Sequence, residues 1–436
     1  MTVSRVSAVS PTEDPKRLSR RQVRAIAAGA IGNTIEWVDW ALYAIFAKII
    51  SSQFFPSGDE KVALLSTLAI FAVGFVLRPA GAAVLGMYAD RFGRKKGLTL
   101  TVGLMAGASF AIALTPTYTQ IGLAAPVVLL LARLVQGFSA GGEFGSSSAF
   151  LVESGTRAGR AFAGSWQQVS VGGGALIASL LGTVATNALS DDALHAWGWR
   201  VAFIIGGLLG LVGLWLRVNV EDTQSFEKAQ SAGRVRSNPL RALFTSHPGA
   251  VLRVVGITIA GTLTYYIWVN YLPTYANLTT GIPLGRALLS QTLCLLIFIT
   301  LLPFAGKLSD RIGRKPTMAG FAAGFAVLSW PLLHFLNSSF LSLFLVQLIG
   351  MLLILGYSAN AAVVMAEQFP AEIRVTGIAV PYAVAVAVFG GTAPYVITWM
   401  HDHHFSGWLW LYLTVASLIS LTVYLTMPET KDKELD

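Results

Sequence analysis

Residues 86–96 read GMYADRFGRKK, and residues 306–316 read GKLSDRIGRKP. In each copy a glycine is followed four positions later by an aspartate (Asp90, Asp310). Arginine comes next (Arg91, Arg311), and a Gly-Arg-Lys turn then supplies Arg94 and Arg314. Each copy closes one apolar run and opens another. A basic turn recurring at matched places in two halves of a chain is the mark of an internal duplication. Arginine and lysine alone would serve membrane orientation, and glycine would serve a tight turn. Neither role calls for an aspartate at the same place in both copies, so the charged residues are expected to form a gate.

Around these turns the 436 residues are 54% hydrophobic and 12% charged, with a mean hydropathy of +0.63. A soluble chain carries about 25% charge, so a soluble fold is excluded. Apolar runs lie near 25–50, 62–88, 97–116, 123–151, 160–187, 198–216, 253–277, 285–305, 317–336, 340–366, 375–399 and 408–427. At about 20 residues per crossing these are twelve spans. With both termini cytoplasmic, 25 of the 31 lysines and arginines fall in inside segments, 4 fall in outside segments, and Arg78 and Arg133 lie within spans. That bias fixes the orientation. The expected organisation is a tail at 1–24, a six-helix bundle at 25–219, a cytoplasmic linker at 220–250, a second bundle at 251–427 and a tail at 428–436. A weaker echo pairs Glu153 and Arg160 with Glu367 and Arg374, which flank equivalent loops and extend the gate. Duplicated bundles with a midplane cavity are a transporter architecture.

Several chemistries fall away. Cys294 is the single cysteine, and Cys/His ligand clusters are absent, which removes redox and structural-zinc readings. The HDHH run at 401–404 reads as a solvated loop in preference to a metal site. No phosphate-binding loop is present, and the net charge of +9 is spread over short loops, unlike a nucleic-acid surface. The polar, basic N-terminus has no cleavable signal, so the first span is expected to act as an uncleaved insertion signal. No cofactor, metal or nucleic acid is expected.

Five charges remain inside spans: Glu36, Asp39, Arg78, Arg133 and Glu143. Each costs about 2.5–3.5 kcal/mol on insertion scales, so such groups face a cavity or a partner. From helical rise, Glu36, Arg78 and Glu143 lie about 18, 18 and 15 Å from the cytoplasmic boundary, near the midplane, and Arg133 approaches the outer mouth. Asn33, Glu36, Asp39 or Trp40, and Tyr43 share one polar, aromatic helix face. Glu36, Asp39 and Glu143 are the candidates for proton coupling, because paired carboxylates in a dry site raise each other's pKa. A permanent ion pair, such as Glu36 with Arg78, is the competing role. Arg78 is the first candidate for a substrate anchor, since a guanidinium grips a carboxylate through two parallel bonds. Arg133, Trp37, Tyr43, Gln136, Gln167, Tyr265, Tyr266, Tyr357 and Asn360 complete the candidate substrate-binding set. Gly137, Gly141 and Gly145 form a small-residue stripe for close helix packing.

The two turns, with RLVQG at 133–137, resemble signatures of the major facilitator superfamily. GNTIEWVDWALY at 32–43, GFVLRPAG at 74–81, RLVQGFSAGGEFGSSSAFLVE at 133–153 and EQFPAEIRVTG at 367–377 resemble its metabolite/proton symporter family. The resemblance implies an all-α membrane protein with two pseudo-symmetric six-helix bundles. It also implies alternating-access uptake of a small organic acid or zwitterion with protons. It carries the acidic first-span motif to Glu36 and Asp39, the second-span arginine to Arg78, the fourth-span motif to Arg133 and Glu143, and the gate aspartate to Asp90. Osmosensing relatives have a long heptad-bearing tail, whereas this chain stops at Asp436 soon after the last span, which weighs against osmosensing. The expected protein is a monomeric proton symporter of a small carboxylate in the bacterial cytoplasmic membrane. A betaine or amino-acid carrier, whose aromatic faces hold a cationic head, and a non-transporting membrane receptor are the alternatives.

Overall fold

The computed structural model describes residues 20–55, 60–218, 239–403, 405–431 and 433–435, and contains no strand among them. Twelve helical passes run through it. The first six are α1 (Arg20–Ile45), α2 (Glu60–Val76 and Arg78–Phe92), α3 (Arg94–Leu114), α4 (Ala124–Ser154), α5 (Arg160–Ala188) and α6 (Trp199–Val218). Then follow α7 (Pro248–Tyr265, a π-helical Tyr266–Tyr271, and Leu272–Thr280), α8 (Leu284–Ile312), α9 (Arg314–Phe335) and α10 (Phe340–Ser358 and Ala361–Ala366). The last two are α11 (Arg374–Ala385, a π-helical Val386–Gly390, and Ala393–Asp402) and α12 (Leu409–Thr426).

Nine helices among the described residues are long and apolar enough to cross a membrane on length and composition. The other passes, α1, α2 and α5, are not among these nine. Of the expected 220–250 linker, 220–238 lie outside the described residues. Pro239–Ser246 is a short helix with Pro239, Ala242 and Leu243 buried, so the linker's end is part of the packed body. His401 and His404 of the HDHH run also lie outside the described side chains, while His403 stacks on Trp399 at 4.5 Å.

The turns that join α2 to α3 and α8 to α9 are closed by Gly93 (φ 112°) and Gly313 (φ 106°), a backbone region that a side chain would strain. The duplication seen in sequence is thus a duplication of backbone geometry. Between the halves, α11 packs on α2 and α4, and α8 packs on α5. One large apolar cluster fills the second half and a smaller one the first. Between them lies a small aromatic cluster drawn from both: Trp40, Phe75, Met105 and Val386, with Trp37, Tyr266 and Tyr382 against it.

Helix irregularities fall beside this cluster. Proline lacks an N–H and clashes with the preceding turn: Pro79 follows the break in α2, and Pro273 follows the widened turn of α7. At Pro273 the irregularity is the π-helical turn Tyr266–Tyr271 just before it. Gly137 and Gly141 press α4 onto the backbone carbonyls of Gly74 and Arg78, where an added methyl would collide with main chain. Gly141→Val should therefore cost about 1–3 kcal/mol or more through overpacking. Thermal unfolding of the purified protein in detergent should show a lowered midpoint.

Candidate functional site

The break in α2 sets Arg78 at the start of a new helical segment, 4% exposed, inside the central aromatic cluster. Its guanidinium carbon lies 4.0 Å from the Phe75 ring centroid, 4.5 Å from that of Trp40 and 5.9 Å from that of Trp37. Phe75 sits three residues before Arg78, one helical turn away, which is how a single helix supplies both cation and ring. Across the gap between halves, Arg78 Nη1 donates to Tyr266 Oη at 3.4 Å, and Tyr266 meets Phe75 edge-on at 5.7 Å. Arg78 Nε and Nη2 are buried and have no hydrogen-bond partner among the described residues. These two nitrogens form the side-on edge of the guanidinium, the one that presents two parallel N–H groups. Trp37 Nε1 is likewise buried without a partner.

A second buried assembly adjoins the first. Arg133 Nη1 donates to Gln136 Oε1 at 2.7 Å, and Gln136 Nε2 donates to Asp39 Oδ2. The Arg133 guanidinium lies 3.5 Å from the Tyr43 ring centroid and 5.4 Å from that of Trp40, and Tyr43 Oη donates to the Thr67 carbonyl at 3.1 Å. Arg133 is 0% exposed, so neighbouring side chains enclose it: helical rise gives depth along an axis but not which neighbours surround a side chain. Tyr43 and Gln136 hold Arg133 and Asp39 together instead of lining the Arg78 edge. Trp40 lies within cation–π distance of both guanidinium groups.

The remaining candidates separate by environment. Glu36 lies on the α1 backbone, with its side chain outside the described residues. Glu143 is buried on α4 beside Phe144, whose ring stacks on Tyr382 at 3.6 Å. Tyr265 is buried next to Tyr266, with ring centroids 6.4 Å apart. Gln167 is fully buried, and neither side-chain amide atom is bonded among the described residues. Tyr357 packs on Gly261 and 5.6 Å from Phe321. Asn360 belongs elsewhere: it accepts from Ser309 and donates to Thr317 Oγ1 at 3.0 Å and the Gly356 carbonyl at 2.8 Å, tying α8, α9 and α10 beside the basic turn. That position corrects its assignment to the substrate set. Phe75, Phe144 and Tyr382 were not singled out in the sequence. The turn spacing of Phe75 from Arg78 was a readable signal, but nothing in the sequence pairs Phe144 with Tyr382.

At the end bearing the repeated turns, the halves meet in two matching contacts. Asp90 accepts from the backbone N–H of Val375 (3.2 Å) and Thr376 (2.8 Å) and from Thr376 Oγ1 (2.7 Å), at the start of α11. Asp310 accepts from the N–H groups of Ala161 and Phe162, both at 3.0 Å, at the start of α5. Each carboxylate thus sits on the positive end of a helix from the opposite half. The glycine four residues earlier makes the approach possible: a methyl on Gly86 would lie 3.3 Å from Thr376 Cα, and one on Gly306 would lie 2.7 Å from the Ala161 carbonyl oxygen.

Ion pairs surround these contacts. Arg374 meets Glu153 at 2.6 Å and Arg160 meets Glu367 at 3.8 Å, both between halves, while Arg314 reaches Asp310 at 2.9 Å and Glu367 at 3.4 Å. Burial pushes the Glu367 carboxyl above its usual range, against the opposing pull of Arg314, Thr430 and Arg160. The C-terminal segment joins this layer: Thr430 Oγ1 donates to Glu367 at 2.6 Å, Glu429 accepts from the N–H groups of Arg314 and Lys315, and Glu434 pairs with Arg157 at 2.8 Å. Arg91 and Arg311 depart from the gate expectation. Both are exposed, Arg91 over its neighbour Phe92 and Arg311 offering only its carbonyl to Lys431, because the helix phase that turns Asp90 and Asp310 inward turns the next residue out. The Arg94 side chain lies outside the described residues.

Two pseudo-symmetric helical halves around a buried, charged centre define a membrane transporter, not an enzyme. The chain belongs to the Major Facilitator Superfamily, whose family model matches residues 29–390 and 291–435, and within it to the metabolite/proton symporters. It is 36% identical over 376 residues to the alpha-ketoglutarate permease of Escherichia coli (strain K12), covering 86% of each chain. It is 34% identical to the citrate-proton symporter of Salmonella typhi over 355 residues, 81% of each chain. It is 32% identical to the proline/betaine transporter of Escherichia coli (strain K12) over 406 residues, 89% of this chain and 80% of that one. In fold it is similar to the proton:xylose symporter XylE bound to 6-bromo-6-deoxy-D-glucose. There the TM-score is 0.83 at 19% identity, over 96% of this chain and 98% of that one.

Glu153→Gln removes one member of a buried ion pair and leaves Arg374 with backbone carbonyl partners in the described contacts. A loss of about 3–5 kcal/mol is expected for such a change. Faster tryptic cleavage near the α4–α5 turn and a lowered unfolding midpoint would register it.

Proposed function

We propose that this transporter is a proton symporter that takes up a small carboxylate by alternating access, with both termini in the cytoplasm. The observation that carries this reading is the unbonded Nε–Nη2 edge of Arg78, buried where α2 meets α7 of the other half. A buried cation with two unsatisfied donors is costly, and a carboxylate supplies both acceptors in one plane. Substrate binding then draws the halves together, because Tyr266 already touches the same guanidinium.

The proton is carried by the acidic set Glu36, Asp39 and Glu143, of which Asp39 has the best-defined surroundings. Its Oδ2 is held by Gln136 and its buried Oδ1 has no described partner. Protonation of Asp39 weakens its hold on Gln136 and so on Arg133. Trp40, beside both guanidinium groups, passes that change to Arg78. Proton and substrate are coupled through one shared ring instead of through direct contact.

The layer around Asp90 and Asp310 is the cytoplasmic gate, closed in this structure. Opening it strips two helix N-termini of carboxylates and separates Glu153 from Arg374 and Arg160 from Glu367. The zwitterion reading ranks second, because the rings of Trp37, Trp40 and Phe75, which would hold a cationic head, already face the protein's own guanidinium.

Proteoliposomes given an acidic exterior should accumulate a radiolabelled organic acid and lose the gradient when a protonophore is added. Accumulation that ignores the protonophore, or competition by betaines but not by acids, would overturn the reading. Arg78→Lys keeps the charge but loses the fork, and uptake should fall at least about tenfold, equivalent to about 1.4 kcal/mol. For the gate, Asp310→Asn should weaken a charge-assisted cap by about 1.5–3 kcal/mol. Spin labels at Ala158→Cys and Ile312→Cys, in a Cys294→Ser background, should then move apart.

A further inference from the structure

The count of cations in the site limits the charge of the cargo. Along the twelve passes, lysine, arginine and histidine lie near helix ends, with two exceptions, Arg78 and Arg133. In α7 to α12 none lies near mid-helix, so the second half brings no positive charge to the centre. Arg133 is already engaged: it is 0% exposed, donates to Gln136, lies against Tyr43 and interacts electrostatically with Asp39. Arg78 offers an unbonded edge with two donors, Nε and Nη2, enough for one carboxylate, whereas the Arg133 guanidinium is sealed against Tyr43 and held beside Asp39.

What surrounds that edge is apolar or neutral. Trp37, Trp40 and Phe75 wall the guanidinium on its own half, and Tyr266 and Tyr382 face it from the other. The acids within the spans, Glu36, Asp39 and Glu143, all belong to the first half. A second carboxylate on the cargo would meet rings, tyrosine hydroxyls and protein anions. An uncompensated charge buried in such surroundings is strongly disfavoured.

The geometry points to a cargo with a single carboxylate, gripped side-on by Arg78, whose remaining body is free of negative charge and rests on the surrounding rings. This inference rests on the carboxylate reading above and narrows it. It sets the chain apart from its relatives named for alpha-ketoglutarate and citrate, whose substrates carry two and three carboxylates.

The test compares acids that differ by one carboxylate: butyrate with succinate, 2-oxopentanoate with 2-oxoglutarate, and benzoate with phthalate. Binding to the purified full-length wild-type protein is read from ligand-dependent shifts of thermal unfolding. Binding is preferred to uptake because small monoacids cross lipid unaided in neutral form. In at least one pair the monoacid should bind about tenfold or more tightly than its partner, and Arg78→Gln should abolish the monoacid's shift. Equal or tighter binding of the diacid in every responding pair overturns the single-carboxylate count while leaving the carboxylate reading intact. No response to any acid overturns both.

Discussion

A guanidinium in the middle of a membrane-spanning bundle keeps its charge at any working pH, so the surrounding structure must accommodate a cation it cannot neutralise by deprotonation. Arg78 is accommodated by aromatic quadrupoles on one side and a tyrosine hydroxyl on the other, and its last two donors stay unfilled. Much of the central architecture follows from that requirement. The helix break before Pro79 delivers the side chain, the α4 glycines let a neighbouring backbone come close enough to exclude lipid, and π-helical turns in α7 and α11 lie beside the same aromatic cluster. Widened turns of this kind often mark functional positions in helices.

The proposed alternating access adds a second constraint, that two halves part and rejoin without exposing unmatched charge. The contact layer answers it with two copies of one device. An aspartate from one half rests on the helix start of the other, and a glycine one turn earlier gives it room. Charge-assisted contacts of a few kcal/mol, used in pairs, suit an equilibrium that must tip in both directions. The C-terminal segment adds to the same layer. Glu429 is pushed up by burial, yet backbone donors from Arg314, Lys315, Lys431 and Thr430 hold it below the usual carboxylate range.

Much of this was legible in the chain. The duplicated turns, the matched aspartates and the Glu–Arg echoes are sequence facts, and the inter-half contacts of Asp90, Asp310, Glu153, Arg160, Glu367 and Arg374 correspond to them. Arg78 stood out because a lone arginine in an apolar run has no cheap explanation. Asn360 and Arg133 were harder. A polar residue in a span reads the same whether it faces a cavity, braces a neighbouring helix or sits sealed against a tyrosine.

The sequence by itself determined the class of fold, the two-fold repetition, the number of passes and the short set of ionisable residues that lie within the spans. It could do so because hydropathy and charge placement act locally, residue by residue along each helix. Only the tertiary structure decided which charges are already spent. Whether Arg133 is engaged, whether Arg78 keeps an open edge, and which ring links the two depend on helix rotation and on neighbours a hundred residues away. Those are set by packing between helices, which periodicity along one helix does not encode.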